Sequence, residues 1–260
     1  MPQPSIESTA ISGFGSGSES KGLNPVVDSE KSKIEKKINP VQYYIKFSFS
    51  ITYIFLLTTA TITFIEAMRT NIPTVRHVMN LETAVSIIAG YFYSVFLEKI
   101  SMYEKEDKII DWADITNTRY IDWSMTTPLM LLALCLVLSQ NIGKIIHIST
   151  YLSIITLNFA MLYFGYLGEN KQMNHTTAMM FGFVAFFGMF YLIFTNYVLP
   201  KYKLSNYIIF GFFFIIWTFY GLVYMMNESI KNISMNILDC LAKCCFGLGL
   251  WAYYSKILHI

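Results

Sequence analysis

From about residue 42 onward, apolar residues gather into seven runs of roughly 20 or more, each long enough to cross a ~30 Å hydrocarbon core as a helix. The runs fall near 42–68, 77–99, 117–138, 145–167, 177–199, 205–227 and 232–256. Polar punctuation separates them: Pro73, the charged stretch Glu98 to Asp114, Gln140-Asn-Ile-Gly143, Glu169 to His175, Pro200-Lys-Tyr-Lys203, and Asn227 to Asn232. The pattern predicts an all-α membrane protein, a bundle of seven transmembrane helices without an internal repeat. Residues 1–40 read differently. Ser5 to Gly22 is rich in Ser and Gly, and Asp28 to Lys37 alternates charge. Neither stretch can bury enough apolar surface to offset the entropy of ordering, so a disordered tail is expected ahead of a membrane domain over 41–260. The tail lacks the apolar core of a signal peptide, and Pro2 excludes N-myristoylation.

Composition agrees with a membrane class. Of 260 residues, 54% are hydrophobic and only 14% charged, less charge than a soluble domain carries. Lipid is therefore the expected surroundings, and a net charge of +2 gives no reason to expect nucleic acid. Arg69, Arg76, Lys144, Lys201, Lys203 and Lys256 lie close to span ends on one side. The positive-inside rule puts that side in the cytoplasm, with the N-terminus outside and the C-terminus inside. Cys135, Cys240, Cys244 and Cys245 all fall inside spans and read as small packing residues. His77, His147 and His175 have no partner at ligand spacing, so no metal site is expected.

Charges inside the spans carry the chemistry. Lys243 lies deep in the seventh run, one helical turn after Asp239. An unpaired ammonium there would cost at least several kcal/mol, and intramembrane charges are functional more often than structural. In the third run, Asp122 and Thr126 share a helix face, and Arg119 stands one turn before Asp122. Lys243 can thus meet two carboxylates, with Arg119 balancing the second. The result is a neutral quartet, the form in which buried ions are tolerated.

These residues also carry a resemblance. Arg119-Tyr-x-Asp122-Trp-x-x-Thr126-Thr127-Pro128 resembles the third helix of the microbial (type 1) rhodopsins, and Asp239-x-x-Ala-Lys243 followed by Phe246-Gly247 resembles their seventh. Trp217-Thr-Phe-Tyr220-Gly-Leu-Val-Tyr224 is similar to the sixth. Phe164-Gly165-Tyr-Leu-Gly168-Glu169 is similar to the end of the fourth in proteorhodopsin-like members. The resemblance implies a seven-helix retinal protein rather than an enzyme, with all-trans-retinal held as a Schiff base on Lys243. By the same resemblance Asp122 is primary counter-ion and proton acceptor, hydrogen-bonded to Thr126. Asp239 is the second counter-ion, held by Tyr93 and Tyr220. Trp123 and Trp217 flank the polyene, and Met161 packs on the ring. Gly165 and Tyr224 belong to the same pocket. Thr127 pairs with Asn158, and Met130 occupies a colour-tuning position, where an apolar residue implies green absorption.

One departure bears on function. Pumps of this family usually carry a carboxylate eleven residues after the acceptor, where this chain has Ala133. Glu82, in the second run, is the expected substitute donor. For the extracellular glutamate pair of the best-known pumps, Glu228 is the nearby candidate. Glu66-x-x-Arg69, Arg76, Glu82 and Trp251 together resemble the pentamer-forming branch of the viral rhodopsins of giant viruses of algae. That branch implies a homo-oligomer, a proton path through Glu82 and Trp251, and an oligomer axis near Glu66 and Arg69. The function implied is a light-driven outward proton pump; a light-gated cation channel and a sensory photoreceptor are the alternatives.

Overall fold

The computed structural model describes residues 40–106, 108–255 and 257, with the side chains of 40–42 set aside. The tail expected over 1–40 lies, apart from Pro40, outside them, as does Lys256. Seven helices long and apolar enough to cross a membrane follow one another: α1 (Pro40–Arg69), α2 (Pro73–Lys105), α3 (Trp112–Ile142), α4 (Ile148–Glu169), α5 (His175–Tyr197), α6 (Leu204–Val223) and α7 (Glu228–Tyr254). No strand occurs among the described residues.

Local chemistry sets the helix ends. Pro73 occupies the first turn of α2, where its missing N–H costs nothing. Asp111 caps α3 by accepting from the main-chain N–H groups of Ala113 and Asp114, and Asn174 and Asn227 cap α5 and α7 in the same way. Gly143 ends α3 at φ 72°, a left-handed turn that suits glycine.

Two boundaries differ from expectation. The charged stretch Glu98 to Asp114 is mostly helix, because Lys99 reaches Asp114 at 2.6 Å and Lys46 reaches Glu104 at 2.5 Å, tying the outer turns together. Asn227 to Asn232 is not a link but the start of α7, opened by the Asn227 cap. Consequently Asn232 is buried and its amide donates to the Glu228 carbonyl.

The seventh helix is continuous but not uniform. Cys240–Cys245 forms a π-helical turn between α-helical segments, and Lys243 lies inside it. Such turns widen the helix by one residue and gather at functional sites. Of the spans, α3 is buried over the largest share of its apolar window, 61%, and α4 over the smallest, 17%. The central helix thus carries Arg119, Asp122 and Trp123, and α7 lies against it.

Candidate functional site

The expected quartet assembles. Lys243 Nζ donates to Asp122 Oδ2 at 2.8 Å and lies 3.6 Å from Asp239 Oδ2, while Arg119 Nη1 lies 3.5 Å from the same Asp239 oxygen. All four side chains are at most 4% exposed. Two cations and two carboxylates sum to zero, which removes the large penalty a lone buried ion would carry.

Asp239 is the more heavily held of the two acids. Tyr93 donates to Oδ2 and Tyr220 to Oδ1, both at 2.7 Å, and the Trp123 indole donates to Oδ1 at 3.4 Å. Arg119 is held in turn by Asn236, whose Oδ1 it reaches at 2.9 Å, and by the rings of Phe49 and Phe96, with centroids 5.4 and 5.2 Å from Cζ. Asp122 has only Lys243. The expected hydrogen bond from Thr126 to its carboxylate is not made. The Thr126 hydroxyl bonds back along its own helix to the Asp122 main-chain carbonyl at 2.8 Å. Asp122 Oδ1 is left buried without a protein partner.

A cavity walled mainly by apolar and aromatic side chains ends at Lys243, the lining expected of a small-molecule site. Trp123, Thr127 and Met130 of α3 face it, as do Met161 and Gly165 of α4, Trp217 and Tyr220 of α6, and Tyr224 just past the end of α6. Thr127 accepts from the Asn158 amide at 2.8 Å, so the expected pair of α3 and α4 is in place. Tyr93 does not line this cavity. It stands on the other side of Asp239, between that acid and Asn236, because its hydroxyl is drawn to both.

Glycines shape the cavity wall, a contribution not read from the sequence for Gly168 and Gly221. A Cβ at Gly165 would stand 2.6 Å from the Tyr120 hydroxyl; one at Gly168 would collide with Tyr224, and one at Gly221 with the Phe183 ring. Only bare backbone lets these rings close the wall. The sequence signals neither Asn236 nor Lys231. Asparagine carries no charge signal within a span, and Lys231 falls in the polar stretch Asn227 to Asn232, whose composition is that of a link.

At the other end of the bundle, Glu82 is 1% exposed, and its Oε1 has no protein partner. It lies against Gly247, one turn beyond Lys243 on α7. The hydroxyls of Thr59 and Ser86 are likewise buried and unpartnered, and Ser86 follows Glu82 by four residues on the same face of α2. Ala133 is fully buried on α3. Trp251 donates to Glu66 at 3.4 Å, which connects α7 to the end of α1. Arg69 is exposed. Glu228 is half exposed and pairs with Lys231 at 2.8 Å.

Comparison with known proteins agrees with this geometry. The model of the bacteriorhodopsin-like proteins matches residues 44–257. Among solved structures, the viral rhodopsin OLPVRII is 40% identical, with a TM-score of 0.76 over 83% of this chain and 99% of that one. A blue light-absorbing proteorhodopsin from Med12 superposes with a TM-score of 0.65 at 21% identity, covering 82% of this chain and 98% of that one. The proton pumping rhodopsin AR2 from the marine alga Acetabularia acetabulum does so with 0.66 at 22%, covering 82% and 96%. No curated protein sequence matches. An ion quartet around a buried lysine, an aromatic cavity ending on it, and a family match spanning all seven helices agree: the chain belongs to the bacteriorhodopsin-like family of microbial rhodopsins.

Proposed function

We propose that this protein is a light-driven outward proton pump that uses all-trans-retinal bound to Lys243. Members of the family bind retinal, and they are light-driven pumps or channels rather than enzymes. The residues present fit that group. The cavity is apolar and aromatic, it ends at one buried amine, and counter-charges for an iminium already surround that amine. Bound at Lys243, retinal would supply light-driven isomerisation, and the side chains around Nζ would decide where its proton goes.

One observation carries the reading: Asp122 holds Lys243 through one oxygen while its other oxygen is unpartnered. Asp239 already has three donors besides the cations. Of the two acids, Asp122 is therefore the one with capacity for the Nζ proton. Arg119 and the tyrosines stay on Asp239, so after the transfer those two charges still balance and the cluster remains neutral overall. Glu82, buried a turn away toward the opposite end, returns a proton to Nζ, and Trp251 and Glu66 continue that route. A multi-pass orientation with the N-terminus outside makes the net movement outward. A homo-oligomer, with a pentamer favoured, belongs to the same reading.

Ala133 favours a second reading, a light-gated cation channel, because a channel needs no internal donor on α3. Whole-cell photocurrents at varied voltage decide between them. A pump gives outward current that does not reverse near an ion equilibrium potential. A current that reverses there replaces the pump with the channel, and little current of either kind points to a sensor.

A further inference from the structure

Beyond Arg119, toward the end of the bundle opposite Glu82, lies a second, smaller cavity. It is bounded by Arg119, Asn232, Tyr120 and Trp123 on the inner side and by Glu169 and Lys231 on the outer. Glu169 is the one carboxylate on its wall. Lys231 is buried, 6% exposed, and its ammonium donates to Glu169 Oε2 at 2.9 Å, Glu169 Oε1 at 3.1 Å and Glu228 Oε1 at 2.8 Å. Three donors meet three acceptors, so the ammonium is saturated. Glu169 is the last residue of α4, while Lys231 and Glu228 are on α7. The triad therefore bolts two helices together across the mouth of this cavity. The Glu169 side chain is 10% exposed and that of Glu228 46%, so the triad runs from interior to surface. His175 of α5 completes the surroundings, with Nε2 3.8 Å from Glu169 Oε1 and its ring stacked on Tyr224 at 4.0 Å.

We propose that Lys231 is a positioning residue that closes the outward proton route, holding the Glu169 carboxylate in place as the landing site for the proton leaving the Asp122–Arg119 region. The inference rests on the pump reading above. A proton crossing the cavity passes Arg119 and meets Lys231, both cationic, and the base it can reach is Glu169. On arrival it binds a Glu169 oxygen, and the carboxylate becomes a neutral acid. Two of the three charge-assisted bonds of Lys231 then weaken, since a neutral acid is a poorer acceptor than an anion. Lys231 stays with Glu228, the bolt between α4 and α7 loosens, and Glu169 passes the same proton to water or to His175. Ionised Glu169 then recaptures Lys231. No proton is stored here in the dark, because Lys231 occupies the place a shared proton would take. Release to the outside therefore follows the protonation of Asp122 instead of accompanying it.

Time-resolved infrared difference spectroscopy of the full chain in lipid, with a pH-indicator dye outside, tests this. The wild type should show a protonated-carboxyl band that rises after the Asp122 band and is lost in Glu169→Gln. Proton appearance outside should coincide with its decay. In Lys231→Met, two facing carboxylates hold a proton between them in the dark, so the Glu169 signal should invert from gain to loss and release should come earlier. Lys231→Arg should restore the wild-type order. Outward current with no Glu169 band overturns the proposal and leaves the pump standing. A Glu169 band with a current that reverses supports the landing site and overturns the pump. Unaltered release timing in Lys231→Met, with visible absorption intact, also overturns the proposal.

Discussion

Gly247 and Glu82 leave no room for a methyl group between them: a Cβ on Gly247 would stand 2.9 Å from Glu82 Oε2 and 3.3 Å from Thr59 Cγ2. The bare backbone of α7 lets a buried carboxylate approach within one turn of Lys243. Glu82→Gln should slow decay of the deprotonated intermediate by about 10²-fold or more, the scale of a positioned acid or base. Gly247→Ala should displace the flexible Glu82 carboxylate without unfolding α7. It should alter that decay while leaving the absorption maximum in place, because the quartet lies a turn away. Flash photolysis of both variants reads the rate, and an unaltered decay in both would remove Glu82 from the route.

The quartet makes a two-part prediction. Lys243→Ala removes the amine at the end of the cavity, so retinal should no longer attach; retained visible absorption in the purified variant would sink the whole reading. Asp122→Asn keeps the shape but not the acceptor. Pigment should form, yet formation of the deprotonated intermediate should slow by about 10²-fold or more. The expected colour change is toward longer wavelength, since the negative charge nearest Nζ is gone. If the intermediate forms at an unaltered rate, Asp239 is the acceptor.

The sequence made the quartet legible because helical spacing alone places Asp239 beside Lys243 and Arg119 beside Asp122, and buried charges must then find one another. Seven helices were legible from apolar run length. Hydrogen-bond choice was not. The Thr126 hydroxyl had two nearby acceptors, and the main chain of its own helix won. The π-helical turn around Lys243 has no hydropathy signature. Lys231 looked like a loop charge, because the cap that extends α7 around it is a matter of one asparagine side chain. Glycine contributions such as Gly221 are visible only once a neighbouring helix is in place.

Gly221 offers a steric test of the cavity. Phe183 of α5 packs directly onto its Cα face, and both residues line the cavity. In Gly221→Ala the ring has to move, and overpacking of this kind costs about 1–3 kcal/mol. Some of that cost falls on the ligand, so retinal should reach half-saturation at roughly tenfold higher concentration, about 1.4 kcal/mol. Absorbance titration of the apoprotein measures it. Undiminished affinity would mean that the ring relaxes away from the ligand space.

Asn236 tests what holds Arg119 in place. It is fully buried, accepts from Arg119 and Tyr93 at 2.9 and 3.0 Å, and donates to Ser48 at 2.9 Å. One side chain thereby joins α1, α2, α3 and α7 on the outer side of the quartet. Asn236→Leu keeps the branched shape but leaves Arg119 without its shortest hydrogen bond. Losing a bond to a charged group costs about 1.5–3 kcal/mol, so thermal bleaching should begin several degrees lower. Stability alone would move in any core variant, so a second reading is needed. With Arg119 no longer pinned, the guanidinium can turn toward Asp122, placing positive charge against the proton acceptor. Formation of the deprotonated intermediate should slow, and Asn236→Gln, which keeps an amide within reach, should recover part of it. A lower bleaching temperature with unaltered proton-transfer kinetics would make Asn236 a structural strut and nothing more.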